Sequence, residues 1–154
     1  MVKDFRGLLQ EFIRRFGLLA GDQTPCGKPL PASDAHALMC LLEAGDQGLL
    51  QTTLVARLGV DKSTASRIVA RMGDRGHVAS LPASGDGRAR PIRLSKKGVR
   101  VAREIEQAST RRFAALLKGI PRHRRTDVIV ALRDIVAAMD QLDVDEDQQQ
   151  GLQS

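Results

Sequence analysis

The segment from Asp61 to Met72 reads DKSTASRIVARM, and its spacing predicts an amphipathic helix that begins at a capping aspartate. Its apolar residues lie three and four positions apart and form a single stripe, which consists of Ala65, Ile68, Val69 and Met72. The opposite side carries hydroxyl and basic side chains. We therefore expect one side of this helix to pack into a core and the other side to remain exposed.

A second short helix is predicted immediately before this segment. Residues 51–58 have helical spacing, and Gly59 stands where a helix end favours a left-handed residue. Two helices joined by a short turn that contains glycine, the second of them polar on its exposed side, are typical of a helix-turn-helix. A further helix is predicted upstream, from an N-cap at Ser33-Asp34 to about Glu43.

Only one region of the chain favours β-structure. Residues 77–81 and 91–94 alternate apolar and polar side chains, and the glycine-rich segment 84–90 between them predicts a hairpin tip. A hairpin in this place is the wing of a winged helix-turn-helix, which we assign to residues 33–100. Residues 96–118 then predict a long connecting helix.

Amphipathic helices are also predicted at both ends of the chain. Residues 1–20 and 119–142 carry wide apolar faces that the core of a small winged helix cannot cover, and an uncovered apolar face implies a partner. We interpret both segments as dimerisation helices. Residues 143–154 are acidic and rich in glutamine, which predicts a flexible tail. The expected fold class is therefore mainly α with a small β wing.

Composition excludes several classes of protein. The chain has 154 residues with 4 Phe and no Trp or Tyr, so its core must be aliphatic, and an aromatic platform for single-stranded nucleic acid is not expected. No apolar run reaches the roughly 18 residues of a membrane span, and the charged N-terminal sequence does not resemble a secretory signal. Two cysteines do not make a disulfide framework, which favours a cytoplasmic location.

Positive charge is concentrated in one part of the sequence. Residues 57–100 contain eleven Lys and Arg against three Asp, a net charge of +8, so the rest of the chain sums to −2. These charges fall on a predicted helix and a predicted hairpin, two elements that fit the grooves of a duplex. Because neutralisation of phosphates by Lys and Arg supplies most non-specific affinity for DNA, we predict double-stranded DNA as the partner.

The candidate DNA contacts lie on the exposed side of the helix or at the hairpin tip. They are Lys62, Ser63, Thr64, Ser66, Arg67, Arg71, Arg88 and Arg90. An Arg can bridge the two acceptors of guanine, and arginines at a hairpin tip suit a narrow minor groove. Asp86 is expected to pair with an Arg and hold it in position. Two alternatives stay open: the serines can bind phosphates instead of bases, or Ser63 and Thr64 can cap the helix without contacting DNA.

The sequence from Asp86 to Gly98, DGRARPIRLSKKG, resembles the wing of the MarR family of winged-helix regulators. That wing reads Asp-x-Arg, followed by a strand that ends in Leu-Thr-x-x-Gly. Asp86 and Arg88 match the first part, and Leu94, Ser95 and Gly98 match the second, with serine for threonine. The start of the polar helix resembles the same family, and the similarity covers roughly residues 5–139.

The resemblance implies a homodimer on a palindromic operator, with two recognition helices about 34 Å apart. It implies transcription regulation, more often repression, relieved by a small-molecule effector or by oxidation. The family's ligand cleft lies between the dimer helices and the DNA-binding lobe. The candidate effector residues that match it here are Arg14, Arg15, His36, Met39 and Cys40, and the start of the long connecting helix belongs to the same cleft. An arginine in such a cleft would suit an aromatic compound with a carboxylate.

Three other functions remain open from the sequence. Cys26, His36 and Cys40 would suit Zn(II) in a metal sensor, and oxidation of Cys26 beside Lys28 would suit a redox sensor. A non-specific architectural DNA protein is the third. We predict no bound cofactor or metal, and no enzyme, because the sequence shows neither a phosphate-binding glycine loop nor a convincing catalytic constellation.

Overall fold

The structure, a computed structural model, describes residues 1–19, 21–80 and 90–151, with the side chains of residues 80 and 143–151 outside the description. Its elements, in chain order, are α1 (Val2–Phe16), α2 (Ala32–Ala44), α3 (Gln51–Leu58), α4 (Lys62–Asp74), β1 (Val78–Ser80), β2 (Ile92–Leu94), α5 (Lys96–Gly119) and α6 (Arg125–Gly151). Short 3-10 turns cover Gly45–Gln47 and Arg122–Arg124. The predicted fold class, mainly α with a small β-sheet, is confirmed.

The chain divides into two compact units, Met1–Arg112 and Phe113–Ser154. The first unit contains α1 to α4, the two strands and most of α5. The second contains the end of α5 and the whole of α6. None of the described helices is both long and apolar enough to cross a membrane.

The core of the first unit is aliphatic, as the composition predicts. Its largest fully buried hydrophobic side chains come from four different helices: Leu38, Leu41, Leu54, Ile68, Met72 and Ile105. The apolar stripe of α4 supplies several of them, because Ala65, Ile68 and Met72 are buried and Val69 packs at the edge. The predicted division of this helix into a buried face and an exposed face is therefore confirmed.

The sheet has two antiparallel strands, with Val78 opposite Leu94 and Ala79 opposite Arg93. Leu49 adds an isolated bridge to Ile92, through N–H···O bonds of 2.9 and 2.8 Å in the two directions. Gly48 makes this close approach possible, because its φ is +65° and a Cβ there would lie 2.5 Å from the Ile92 carbonyl oxygen. The predicted hairpin tip at residues 84–90 lies outside the described residues except for Arg90.

The junction between β2 and α5 is held by Ser95. Its hydroxyl donates to the Gly76 carbonyl oxygen at 2.6 Å and accepts from the Gly98 amide at 3.0 Å, so it caps α5. The Ser95 amide also donates to the His77 carbonyl oxygen at 2.9 Å. A Cβ on Gly98 would lie 2.9 Å from the carbonyl carbon of His77 and would overlap with the carbonyl oxygen. The strand-to-helix motif Leu-Ser-x-x-Gly thus encodes a cap and a close backbone contact.

Two helix boundaries differ from the sequence predictions. α2 begins at Ala32 with Pro31 before it, so the predicted Ser33-Asp34 cap is wrong: Asp34 is buried within the first turn. There its negative charge is favoured by the helix N-terminus. α6 continues to Gly151 rather than ending at residue 142, because residues 143–150 contain no proline or glycine to stop it.

Candidate nucleic-acid interface

The exposed side of α4 presents a small set of polar side chains. Lys62, Ser63, Ser66 and Arg67 are exposed and together line one shallow concave surface. This set contains four of the six contacts predicted on the helix. It combines two cations with two hydroxyl groups, which is the chemistry needed to bind phosphates and the edges of bases.

A hydrogen-bond network fixes the N-terminus of α4. The Asp61 carboxylate accepts from the Thr64 amide at 2.9 Å and from the Ser63 and Thr64 hydroxyls at 2.6 Å each. Hydrogen bonds from Ser63 and Thr64 hold the pKa of the Asp61 carboxyl far below its usual range. The Thr64 hydroxyl in turn accepts from the Arg67 guanidinium at 3.0 Å. Thr64 therefore connects the cap to the cation that follows it by one helical turn.

A side chain on α3 contacts the same face. The Gln51 amide nitrogen lies 2.7 Å from the Ser66 hydroxyl oxygen and joins the first residue of α3 to the middle of α4. The sequence did not single out Gln51. The only sequence signal for this contact was the position of Gln51 at the start of the first helix of the helix-turn-helix. A glutamine by itself does not indicate a contact with the next helix.

Arg71 behaves differently from the other residues predicted on this helix. Its guanidinium donates to both oxygens of the Asp34 carboxylate, at 2.5 and 3.3 Å, which ties α4 to α2. The Asp34 side chain is only 2% exposed and that of Arg71 is 41% exposed. The hydrogen bonds to Asp34 raise the pKa of Arg71. Because this cation already neutralises a buried carboxylate, we leave Arg71 out of the proposed DNA contacts.

The described part of the wing is basic. Arg90 and Arg93 are exposed, whereas Asp86 and Arg88 lie outside the described residues, so their predicted pairing and groove contact stay predictions. Where β1 begins, burial lowers the pKa of His77, with the positive charges of Lys97 and Arg75 acting in the same direction. His77 is thus a neutral packing residue at the base of the wing.

The candidate effector residues lie on two helices, Arg14 and Arg15 on α1 and the other three on α2. A groove of about 340 Å³ opens between α2 and α5, lined by Met39, Leu42, Glu43, Arg103 and Glu106. Of the predicted set, only Met39 lines this groove. Arg14 and His36 are exposed elsewhere, and Arg15 forms an exposed ion pair with Glu11 at 2.6 Å. Arg103 and Glu106 were not predicted, although their spacing of three places them on one face of α5.

The cysteines occupy unlike surroundings. Burial, together with the carboxylate of Glu43, raises the pKa of the Cys40 thiol, which packs against the core. The Cys26 sulfur lies 3.0 Å from the Thr24 hydroxyl, and Lys28 pairs with Glu104 at 3.3 Å. Among the described residues, no group of three or more His, Cys, Asp or Glu side chains is arranged to hold a metal ion. Redox sensing through Cys26 stays a prediction.

Comparison with known sequences agrees with this geometry. Residues 28–89 match a sequence model of the MarR family. The HTH-type transcriptional regulator PetP of Rhodobacter capsulatus is 31% identical over 94 residues, which make up 61% of this chain. The match spans 54% of PetP, about half of its length. PetP is described as a transcriptional regulator, which agrees with the expectation that this chain is not an enzyme.

Solved structures share the fold over most of the chain. The PcaV transcriptional regulator of Streptomyces coelicolor, in complex with its natural ligand, has a TM-score of 0.62 and 26% identity, covering 87% of this chain and 89% of PcaV. FabT of Streptococcus pneumoniae, in complex with DNA, has a TM-score of 0.74 and 14% identity, covering 92% of this chain and 99% of FabT. With the polar face of α4 and the Ser95–Gly98 junction, these matches show that residues 28–89 are similar to the MarR family and that the chain shares the fold of these solved structures.

Proposed function

We propose that this protein is a homodimeric transcription regulator that binds duplex DNA sequence-specifically. Helix α4 enters the major groove, and the segment between β1 and β2 contacts the adjacent minor groove. The observation that carries this proposal is the exposed surface of Lys62, Ser63, Ser66 and Arg67, on a helix whose other face is buried. Because the apolar face anchors the helix to the core, its polar face is free to enter a groove of the duplex.

Charge and relatives support the same proposal. The net charge of +8 falls on residues 57–100, the segment that contains α4 and both strands, where positive charge would neutralise DNA phosphates. PetP is described as an HTH-type transcriptional regulator, and the FabT structure contains DNA. We infer that this chain acts on DNA through the equivalent helix, and that it does so in the cytoplasm.

The first prediction concerns Arg67. We expect Arg67→Ala to weaken binding to a palindromic duplex from upstream of the protein's own gene by about 10- to 100-fold, because a bidentate base contact is worth about 1–3 kcal/mol. Binding to random duplex of the same length should fall much less. Fluorescence anisotropy at several salt concentrations measures both affinities.

Arg124→Ala is the matched control, because it removes the same charge from an exposed position outside the winged helix. The control should retain nearly full specific affinity. Equal affinities of the wild-type protein for the palindromic and the random duplex would contradict sequence-specific binding. That result would favour the architectural alternative instead.

The homodimer rests on exposed apolar surface in a single chain. Along α6, Ile129, Leu132 and Val136 line an open apolar groove, and Leu132 and Val136 are 55% and 58% exposed. Helix α1 exposes Phe5 and Leu8, at 51% and 69%. Apolar surface of this extent is rarely left open in a soluble monomer, so we propose that a second copy covers it.

The second prediction tests this interface. We expect Leu132→Glu to convert the protein into a monomer at micromolar concentration, because the dimer would bury a carboxylate without a partner. Sedimentation velocity measures the change. Ala138→Glu is the control, since its position lies on the opposite side of α6 at about 100° per residue, and it should leave the dimer intact. A wild-type monomer in the same experiment would contradict the proposal.

We further propose that the regulator represses transcription and that a small-molecule effector releases it from DNA. The groove of Met39, Leu42, Glu43, Arg103 and Glu106 is a candidate site, since its lining combines two apolar side chains with one cation and two carboxylates. The PcaV structure holds the natural ligand of that protein. Release requires that the effector favour a dimer shape whose recognition helices no longer match the operator.

A further inference from the structure

The hydroxyl groups at the start of α4 have a fixed hydrogen-bonding direction. Both the Ser63 and the Thr64 hydroxyl lie 2.6 Å from the Asp61 carboxylate, one at each oxygen. An ionised carboxylate carries no hydrogen and can only accept, so each of the two hydroxyls donates its single hydrogen bond to Asp61. Hydrogen bonds that lower the pKa of Asp61 keep it ionised at physiological pH, and the direction therefore persists.

This arrangement leaves different capacities on the two hydroxyls. The Thr64 oxygen also accepts a hydrogen bond from the Arg67 guanidinium at 3.0 Å, so Thr64 both donates and accepts within the protein. The exposed Ser63 oxygen, which lines the concave surface of α4, retains its lone pairs and has no proton left to donate. Ser66 differs from both, because it contacts the Gln51 amide and not a carboxylate.

The consequence for DNA is a restriction on what Ser63 can contact. A group that can only accept finds no partner in a phosphate oxygen, and the negative charge of Asp61 beside it repels phosphates. In the major groove the complementary partners are the exocyclic amino groups of adenine and cytosine, because guanine and thymine offer acceptors there. Arg67, which is oriented by its hydrogen bond to Thr64, supplies hydrogen-bond donors one turn later in the helix.

We propose that Asp61 is a positioning residue that makes Ser63 an obligate acceptor, so that Ser63 selects adenine or cytosine at one position of each half-site. This inference rests on the proposed DNA-binding function. It assigns Ser63 to the bases and not to the backbone, and it gives Thr64 the task of aiming Arg67. Asp61 acts on specificity without touching the DNA.

The test is selection from a randomised duplex library with the wild-type protein, Ser63→Ala and Asp61→Gly. Glycine is among the residues preferred at helix N-caps, so the fold and the helix should persist. It has no side chain, so the Ser63 and Thr64 hydroxyls both lose the acceptor that fixes their direction. We therefore expect the preference for adenine or cytosine at one position to relax in both variants, by roughly three- to tenfold for one hydrogen bond.

The two variants differ in a second readout. Asp61→Gly should also bind random duplex more tightly, because a negative charge has been removed from the interface, whereas Ser63→Ala should not. A selected motif that is identical for Asp61→Gly and wild type, or a Ser63-dependent position that prefers guanine or thymine, would overturn this inference alone. Selection of no motif by the wild-type protein would overturn the proposed function and this inference with it.

Discussion

Gly98→Ala is expected to destabilise the first unit (Met1–Arg112, the winged unit) by about 3 kcal/mol, the upper range for an added methylene in a packed site. The new Cβ would lie within contact of the His77 carbonyl group, 2.9 Å from its carbon and closer still to its oxygen. Neither side can retreat easily, because the His77 oxygen already accepts from the Ser95 amide at 2.9 Å and Ser95 caps α5. Relief of the clash requires that α5 move away from β1.

Gly73→Ala is the matched control for this prediction. Gly73 lies in α4 with nothing within 4 Å of an added Cβ. Alanine should therefore stabilise the protein by up to about 1 kcal/mol through helix propensity. Urea titrations followed by circular dichroism measure both changes, and an altered midpoint with an unchanged slope identifies a change in stability. A Gly98→Ala protein as stable as wild type would contradict the close contact.

Local patterns predicted most of the secondary structure of the winged unit. The apolar spacing of residues 65–72 gave the buried face of α4, and the left-handed Gly59 gave the end of α3. The resemblance identified Ser95 and Gly98 as a motif. Their physical roles depend on Gly76 and His77, which approach them only in the folded chain.

Contacts between distant residues could not be predicted in the same way. Asp34 was expected to cap α2, yet it lies buried opposite Arg71, 37 residues away. No spacing rule connects two such positions, because their meeting depends on how α2 packs against α4. The groove between α2 and α5 has the same origin: Arg103 and Glu106 join Met39 there only through packing. Of the predicted effector residues only Met39 lines this groove, and the effector site itself stays a prediction.

The ion pair between Asp34 and Arg71 should give the other large effect. Arg71→Met is expected to cost about 2–3 kcal/mol, somewhat less than the usual loss for a broken buried pair because the Arg71 side chain is partly exposed. The variant leaves a carboxylate that is 2% exposed with only a 3.4 Å hydrogen bond from the Ser33 hydroxyl. Asp34→Asn should cost less, because a freed guanidinium can turn toward solvent and an amide is cheaper to bury.

The double variant Asp34→Asn with Arg71→Met distinguishes an ion pair from simple packing. If Arg71 serves chiefly to neutralise Asp34, the double variant should be at least about 1 kcal/mol more stable than Arg71→Met alone, since no buried charge remains. Additive losses would show that the two side chains act independently. DNA binding gives a further readout, because this pair anchors α4 to α2. Arg71→Lys keeps the positive charge but cannot bind the carboxylate bidentately. We expect this variant to weaken binding to the palindromic duplex and to the random duplex by different factors. An equal loss on both duplexes would assign Arg71 to a phosphate contact, contrary to its position against Asp34.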